Sequence, residues 1–296
     1  MLPAPIIATT KHVNLFILMC GIAAYFSPNQ PGSLQALTRA INTLHHRGPD
    51  GHGLWVSPDR RVGLGHTRLS IMDLATGQQP IANEDERIHL IANGEFYDFE
   101  NQRRTLEQRG HRFRTRSDSE IALHLYEESG THGVQQLRGE FAFVLWDEPN
   151  QTLLAARDRF GIKSLYYAFH KETLYLASEI KALFAAGVRV CWDWDYFYQQ
   201  STGPALPDRT LFQGVHQVPP GHCLVMGPGG MRLVRYCDFH FPDAAELASE
   251  TRQEQSFIAE FSAVFEYLPT RGLSLSSSNG FISGSITSPL RQHLRH

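Results

Sequence analysis

Short apolar runs separated by turn residues dominate the first two thirds of the chain. "GIAAYF" (21–26) precedes "SPNQPG", whose Pro, Asn and Gly residues are typical of a turn. "RVGLGHTRLSI" (61–71) and "RIHLIANGEFY" (87–97) flank a polar loop. Further β-type runs follow in "EFAFVLWDE", "TLLAARDR", "SLYYAF" and "TLYLASE". Every position of "FAFVLW" is apolar, which predicts a strand buried on both faces.

Helical spacing is found between these runs. Leu34, Leu37, Ile41 and Leu44 share one helical face, and Ser33 before them predicts an N-cap. A charged helix is predicted over 99–109.

A second capping signal lies further along the chain. Ser117 with Glu120 three residues later predicts a capping box, and Gly130 predicts the end of that helix. Grouped strands and grouped helices favour a layered α+β sandwich over a doubly wound parallel sheet.

The end of the chain differs in character. Residues 244–267 read as one helix, whereas "GLSLSSSNGFISGSITSPLRQHLRH" is rich in serine, lacks acidic residues and has no helical or strand period. This composition predicts a disordered tail, or one that is foreign to the fold.

Composition narrows the function classes. The 296 residues are 42% hydrophobic with a formal net charge of -3, which excludes a sequence-independent nucleic-acid binder and suits a soluble protein. No apolar run approaches the length of about 18 residues that a membrane span needs. Four cysteines without a C-x-x-C pair indicate neither a zinc framework nor a disulfide scaffold, so we expect a cytoplasmic protein.

Cys20 follows a short apolar run and opens a predicted strand. Taken alone it is a buried core thiol, a lipid-attachment site or a nucleophile. If Cys20 were the first residue, its α-amine would provide a base, because the amine titrates near about 8 and the thiol near about 8.5. Met19 directly before it is a possible true start of translation, whereas a signal peptide is poorly supported because its basic element stands late.

Other polar residues allow both a structural and a functional interpretation. In "HHRGPDGHG" (45–53), a predicted loop, Arg47 and Asp50 could pair, while the spacing of the three histidines fits no standard metal pattern. Arg68 could hold a carboxylate or pair at the surface.

The same ambiguity holds for two later motifs. Asn93 and Gly94 form a typical hairpin turn, or could present an amide and a backbone N–H to an oxyanion. Asp118 could stabilise a helix start or bind an ammonium group.

In this order the motifs resemble one family, the class II glutamine amidotransferases of asparagine synthetase type. The matching stretches are "MCGIA", "HRGPDG", "RLSIMD", "NGEFYD", "SDSE", "RGEFAFVLWD", "RDRFGIK" with "LYY", and "SEIKAL". The resemblance covers about residues 19–241 and implies a four-layer αββα sandwich of the N-terminal nucleophile hydrolase type.

The resemblance also implies roles for individual residues. Cys20 would attack the side-chain amide of L-glutamine and release ammonia through a thioester, with Asn93 and Gly94 forming the oxyanion hole. Arg68 would hold the α-carboxylate of glutamine and Asp118 its α-ammonium. The remaining residues expected to line the site are Leu69, Ser70, Ile71, Met72 and Glu95.

The chain departs from the family pattern at several points. Ser164 replaces the usual proline, Cys237 replaces an aromatic residue, and residues 1–19 would block the α-amine of Cys20 if they were retained. The family continues into a domain that uses ATP and magnesium to activate aspartate, but its Ser-Gly-Gly-x-Asp-Ser loop is missing where it is expected.

These departures set the expected domain organisation. We expect an extension at 1–19 that is removed or lies upstream of the true start, an amidotransferase domain at 20–241, the remnant of a linker and first helix at 242–267, and a disordered or frameshifted tail at 268–296. No cofactor or metal is expected in this chain, and a synthetase domain on another chain is a possible partner. The alternative is an inactive module that binds glutamine or a regulatory partner.

Overall fold

Two antiparallel sheets form the centre of the fold in the computed structural model, which describes residues 19–70 and 77–238. The strands are β1 (Gly21–Phe26), β2 (Gly51–Val56), β3 (Val62–Arg68), β4 (Ile81–Ala82), β5 (Ile88–Phe96), β6 (Gly139–Asp147), β7 (Thr152–Arg157), β8 (Tyr166–His170), β9 (Thr173–Ala177), β10 (Val215–Gln217), β11 (His222–Gly227) and β12 (Gly230–Arg235). The helices are α1 (Leu34–Thr43), α2 (Phe99–Gln108), α3 (Glu120–Ser129), α4 (Ile180–Ala186) and α5 (Trp194–Thr202), with a 3₁₀ helix at Gly130–Gln136.

Each sheet has six strands. The order in the first sheet is β10-β8-β9-β1-β3-β2, and the order in the second is β12-β11-β7-β6-β5-β4. β1 lies between β3 and β9 in the first sheet, and β5 lies between β4 and β6 in the second. Predicted site residues therefore come from both sheets, since Cys20 directly precedes β1 and Asn93 and Gly94 lie in β5.

The sheets pack face to face, because alternate residues of each strand point to opposite faces. Ile22 and Phe26 of β1 lie in the apolar layer between the sheets, together with Ile91 of β5 and Val144 of β6. Tyr25 of β1 points to the opposite face, toward the helices on the first sheet. This alternation separates the core into layers.

Helices cover both outer faces. Leu37 and Ile41 of α1 pack with Leu183 of α4 against the first sheet. Leu106 of α2 and Leu123 of α3 pack against the second sheet. The predicted α+β sandwich with αββα layers is therefore confirmed.

Most predicted elements are also confirmed, including the strand over "FAFVLW", all of whose residues are buried. Ser33 caps α1 and accepts a hydrogen bond from the Ala36 N–H at 3.1 Å. Leu34, however, is 49% exposed, so it does not share the burial of Leu37 and Ile41. The loop predicted over 45–53 is partly wrong, since β2 begins at Gly51.

The predicted capping box at Ser117 is wrong. α3 begins at Glu120, two residues later than that motif requires, and Ser119 is its N-cap without a side-chain cap bond. The Glu120 carboxylate is instead fully buried and accepts the Arg114 and Thr115 N–H groups at 2.6 and 2.8 Å. Gly130 ends the helix as predicted, with φ +58.

None of the helices within residues 19–70 and 77–238 is both long enough and apolar enough to cross a lipid bilayer. The expected extension before Met19, the predicted helix at 244–267 and the serine-rich tail lie outside the described residues.

Candidate active site

A cavity opens at one end of the layer between the sheets, where the inward-facing rows change from apolar to polar. Along β3, Leu64 is followed on the same face by His66 and Arg68. Cys20 stands two residues before Ile22 and extends the inward row of β1. The cavity has a volume of about 160 Å³. Its lining residues are Met19, Cys20, His66, Arg68, Leu69, Gly77, Gln79, Ala92, Asn93, Gly94, Glu95, Ser117, Asp118, Ser119 and Lys163.

The Cys20 thiol contacts the backbone of Leu69. The Leu69 N–H donates to Sγ at 3.4 Å, and Sγ lies 3.8 Å from the Leu69 carbonyl oxygen. Burial raises the pKa of the Cys20 thiol, while the Leu69 N–H and the nearby Arg68 and Arg47 guanidinium groups lower it. Since the net direction is upward, a base is needed to form the thiolate at neutral pH.

Arg47 fixes the backbone of Cys20. Its side chain is almost fully buried, donates from Nε to the Cys20 carbonyl at 3.0 Å, and donates from Nη1 to Glu179 at 3.0 Å. The pairing with Asp50 suggested by the sequence is wrong, because Asp50 accepts the Ser70 N–H at 2.7 Å. The guanidinium therefore positions the residue that carries the thiol.

Asn93 and Gly94 lie within β5, so a hairpin turn at this pair is excluded. The side-chain amide of Asn93 is oriented so that both its nitrogen and its oxygen have hydrogen-bond partners. Nδ2 donates to the Cys20 carbonyl at 3.0 Å, and Oδ1 accepts from Arg47 Nη2 at 3.3 Å. Gly94 has φ +144, and a Cβ there would lie 2.0 Å from the Glu140 carbonyl oxygen. Only glycine fits at this position.

Asp118 lies just before α3 and is 6% exposed. One carboxylate oxygen accepts the Phe96 N–H at 2.7 Å, and the other lies 3.4 Å from the hydroxyl groups of Ser117 and Ser119. Burial raises the pKa of Asp118, and these hydrogen bonds oppose the increase. A buried carboxylate of this kind suits a cationic ligand group.

Glu95 shares the cavity wall with a charged pair. Lys163 Nζ lies 3.2 Å from a Glu140 carboxylate oxygen and 3.2 Å from Met19 Sδ. Burial raises the pKa of Glu95, and the Glu140 carboxylate, its partner across the β5–β6 ladder, raises it further.

Most of the residues predicted from the sequence border this cavity: Cys20, Arg68, Leu69, Asn93, Gly94, Glu95 and Asp118. Ser70 is not among the lining residues, and its N–H is bonded to Asp50. Ile71 and Met72 lie outside the described residues.

The sequence analysis missed several residues of the cavity wall. His66 could have been found, because it stands two residues before Arg68 in a strand and must share its face. Ser117 and Ser119 flank Asp118, and Lys163 ends the "RDRFGIK" motif. Gln79 and Ala92 carry no local signal, since only the fold brings them to the cavity.

One group of side chains outside the cavity has metal-ligand chemistry. Glu84, His111 and His124 each place a ligand atom within 4.8 Å of the others. The imidazole nitrogens already contact carboxylates, however, with His124 Nδ1 2.6 Å from Glu127 and His111 Nε2 2.9 Å from Glu128. These contacts identify the group as an ion-pair network that joins α3 to the neighbouring loops.

Sequence comparison relates the chain to known proteins. Residues 19–237 match the family of glutamine amidotransferase domains. Amidase chry2 of Gibberella zeae is 42% identical over 247 residues, which are 78% of this chain and 36% of the relative. Asparagine synthetase [glutamine-hydrolyzing] 3 of Bacillus subtilis is 33% identical over 262 residues, which are 86% of this chain and 41% of the relative. The chain thus spans little more than a third of the length of these relatives.

Structure comparison supports the fold. Glutamine phosphoribosylpyrophosphate amidotransferase from B. subtilis superposes with a TM-score of 0.57 and 20% identity, covering 74% of this chain and 49% of that one. At this identity the likeness concerns the sandwich architecture alone.

Proposed function

This chain belongs to the class II glutamine amidotransferase domain family, and from that premise we propose that it hydrolyses L-glutamine at Cys20 and releases ammonia. One observation carries the proposal: the Cys20 thiol opens onto a cavity whose walls hold Asn93 and Gly94 together with Arg68 and Asp118. Such a cavity combines a nucleophile, oxyanion donors and two charges of opposite sign.

The two charges match the backbone end of a free amino acid. Arg68 binds the α-carboxylate of glutamine, because a guanidinium can donate two parallel hydrogen bonds to a carboxylate. Asp118 binds the α-ammonium group, and its buried carboxylate is compensated by that charge. Glu95 and Leu69 complete the wall of the cavity. Holding the amino-acid end in this way orients the side-chain amide toward Cys20.

The thiol must lose its proton before it attacks, because burial raises the pKa of Cys20. When Cys20 is the first residue of the mature chain, its α-amine takes this proton. Removal of residues 1–19 is therefore part of the proposal. Arg47 and Asn93 hold the Cys20 carbonyl and fix the position of that amine relative to the thiol.

Cys20 Sγ bonds to the amide carbon of glutamine, and the carbonyl oxygen becomes an oxyanion that accepts from Asn93 Nδ2 and the Gly94 N–H. The protonated α-amine gives its proton to the departing nitrogen, the C–N bond breaks and ammonia leaves. Water hydrolyses the thioester to glutamate and regenerates the thiol.

The acceptor of the ammonia is a carboxylate activated elsewhere, either aspartate or another acid. The related asparagine synthetase and amidase support a reaction of this kind. The synthetase portion would be supplied by a longer protein or by another chain, and any ATP or magnesium would be bound there.

The experiment compares Cys20→Ala with Cys191→Ala, whose thiol lies outside the cavity. We expect Cys20→Ala to lose release of ammonia and glutamate from glutamine, by at least about 10³-fold, since the covalent step requires the thiol. Cys191→Ala should keep the wild-type rate. Full activity of Cys20→Ala would refute the proposal.

A glutamine-binding regulatory module is the second candidate, and it is favoured if residues 1–19 remain uncleaved in the mature protein. A retained extension blocks the α-amine and leaves the thiol without its base, while Arg68 and Asp118 can still bind glutamine. The intact mass of the purified protein separates the two candidates, because a chain that begins at Met1 supports the module.

A further inference from the structure

Glu179 is a charged residue outside the cavity wall to which the proposed mechanism gives no role. It is the N-cap of α4 and has an extended backbone, yet its side chain makes no capping hydrogen bond. The preferred N-cap residues are Ser, Thr, Asp and Asn, whose short side chains reach the N–H groups of the first turn. Helix capping therefore does not explain why a glutamate stands at this position.

The Glu179 carboxylate contacts Arg47 instead. Its Oε1 atom accepts from Arg47 Nη1 at 3.0 Å, and within residues 19–70 and 77–238 no other carboxylate forms an ion pair with this guanidinium. Arg47 is 6% exposed, and a charge buried to this extent requires an opposite charge beside it. Glu179 provides that charge.

The Arg47 guanidinium joins Glu179 to both parts of the reaction centre. Nε donates to the Cys20 carbonyl at 3.0 Å, and Nη2 donates to Asn93 Oδ1 at 3.3 Å. The bond to Oδ1 decides which way the Asn93 amide faces, because holding the oxygen at Arg47 leaves the nitrogen for the Cys20 carbonyl. One planar group thus sets the position of the nucleophile and of an oxyanion donor.

The backbone beside Glu179 is also tied to the nucleophile. Ser178 is fully buried, its N–H donates to the Ile22 carbonyl at 2.9 Å, and its Oγ accepts the Ile22 N–H at 3.0 Å. Ile22 stands two residues after Cys20. The start of α4 is therefore fixed to the start of β1, and the Glu179 side chain spans the remaining distance to Arg47.

The other partners of Glu179 lie at the surface. Lys181 Nζ is 2.9 Å from Oε2 and His46 Nε2 is 3.0 Å from Oε1, and the side chains of both partners are more than one third exposed. Burial alone would raise the pKa of Glu179, but the hydrogen bonds from Lys181 and Arg47 lower it, so the group is a carboxylate at neutral pH. Solvent screens the two surface contacts, whereas the contact with Arg47 is made to a buried group.

We propose that Glu179 is a positioning residue for the hydrolysis of glutamine and acts through the Arg47 guanidinium. The inference rests on the proposed glutaminase function and adds to that site a residue outside the cavity. The Glu179 carboxylate holds the guanidinium in the orientation that reaches both the Cys20 carbonyl and the Asn93 amide. When the carboxylate is withdrawn, the nucleophile and the oxyanion donor lose their common alignment.

The variant Glu179→Asp separates this role from a structural one. Aspartate keeps the charge and is a preferred N-cap, so the melting temperature should not fall, but its shorter side chain withdraws the carboxylate from Arg47. We expect kcat for glutamine to fall by about 10- to 100-fold, because misplacement by about 1 Å has effects of this size. KM should change less than about threefold, since Arg68 and Asp118 still bind the amino-acid end.

The matched control is Lys181→Met. This variant removes the exposed ion pair of Glu179 and leaves the contact with Arg47 in place, so kcat should stay within about twofold of the wild-type value. Steady-state release of glutamate and thermal melting are measured for each variant, always on protein that begins at Cys20.

A double substitution tests the route through Arg47. In an Arg47→Met background, Glu179→Asp should lower kcat no further, as expected for two residues that act as a unit. Should Arg47→Met fail to fold, its melting curve will show this, and the comparison of Glu179→Asp with Lys181→Met decides alone.

Four results would overturn the role of Glu179: an unchanged kcat in Glu179→Asp, a loss of kcat that a fall in melting temperature accompanies, an equal loss in Lys181→Met, or a further loss in the Arg47→Met background. If wild-type protein that begins at Cys20 hydrolyses no glutamine, the proposed glutaminase function fails, and the role of Glu179 fails with it. If the wild type is active and one of the four results is found, only the role of Glu179 fails.

Discussion

At the scale of single residues, the site is formed where alternate positions of a strand change from apolar to polar. Val62 and Leu64 of β3 belong to the apolar core, and His66 and Arg68 continue the same row into the cavity. Sequence could predict Arg68 from its motif, but the burial of His66 depends on contacts between strands that are distant in sequence. Likewise, the Asn93–Gly94 pair resembles a hairpin turn locally, and only its pairing with β6 shows a continuous strand.

Gly94 offers a test at this scale. We expect Gly94→Ala to lower glutaminase activity by about 100-fold or more and to reduce the melting temperature, because its Cβ would collide with the Glu140 backbone and displace the proposed oxyanion donor. Steady-state ammonia release and thermal melting measure the two effects. Gly229→Ala is the control, since its Cβ meets nothing within 4 Å and its φ lies outside the left-handed region that favours glycine. Equal activity of the two variants would contradict the role given to Gly94.

Asp118 predicts a pH dependence of substrate binding. Because burial raises the pKa of this carboxyl group, we expect kcat/KM for glutamine to fall on acidification with a midpoint above the ordinary Asp value of about 3.9. Asp118→Asn should raise KM by about 100-fold and remove this acidic limb, because the amide cannot pair with the α-ammonium group. The exposed Asp195→Asn serves as control and should retain the wild-type profile. An unchanged acidic limb in Asp118→Asn would exclude Asp118 as its origin.

At the scale of elements, α3 shows how burial overrides local capping rules. The Ser117–Glu120 spacing predicts a capping box, yet Glu120 is fully buried and accepts hydrogen bonds from the preceding loop, so the helix starts later. On the same helix His124 is fully buried and lies between Glu120 at 3.5 Å and Glu127 at 2.6 Å. Sequence places these residues on one face but cannot show that the face is inaccessible to solvent.

His124 therefore predicts a pH-dependent stability. Although burial alone would lower it, the Glu120 and Glu127 carboxylates raise the pKa of His124 to about 9, above the unfolded value of about 6.5. The protonated His124 therefore adds to the free energy of unfolding by at most about 3 kcal/mol. This contribution is fully present below pH about 6.5 and is lost as the pH rises through about 9. Melting of wild type and His124→Leu between pH 6 and 9.5 should show the widest difference at pH 6.

The control for this measurement is His132→Leu, which replaces an exposed histidine by the same residue. It should shift the melting temperature little, and equally at every pH. A difference between wild type and His124→Leu that stays constant over the range would contradict a charged His124 on α3.

At the scale of the whole molecule, the four layers follow from the sequence more directly than the site does. Strands that are buried on both faces, such as β6, require a second sheet, and amphipathic helices such as α1 require an outer face to cover. The order of the strands could not be predicted, because β1 pairs with β9 across more than a hundred residues of chain. That order brings the inward row of β1 in the first sheet close to that of β5 in the second, so the cavity depends on the complete sandwich.

The central claim is that Cys20 acts as an N-terminal nucleophile, and acid-quenched turnover with glutamine tests it most directly. Peptide mass mapping of the quenched protein reports both the N-terminal residue and any covalent intermediate. We predict a peptide that begins at Cys20 and carries one glutamyl group on its thiol, with no such adduct in Cys20→Ala. Release of ammonia by a protein whose Cys20 lies within an uncleaved chain, or a glutamyl group on another residue, would contradict the account.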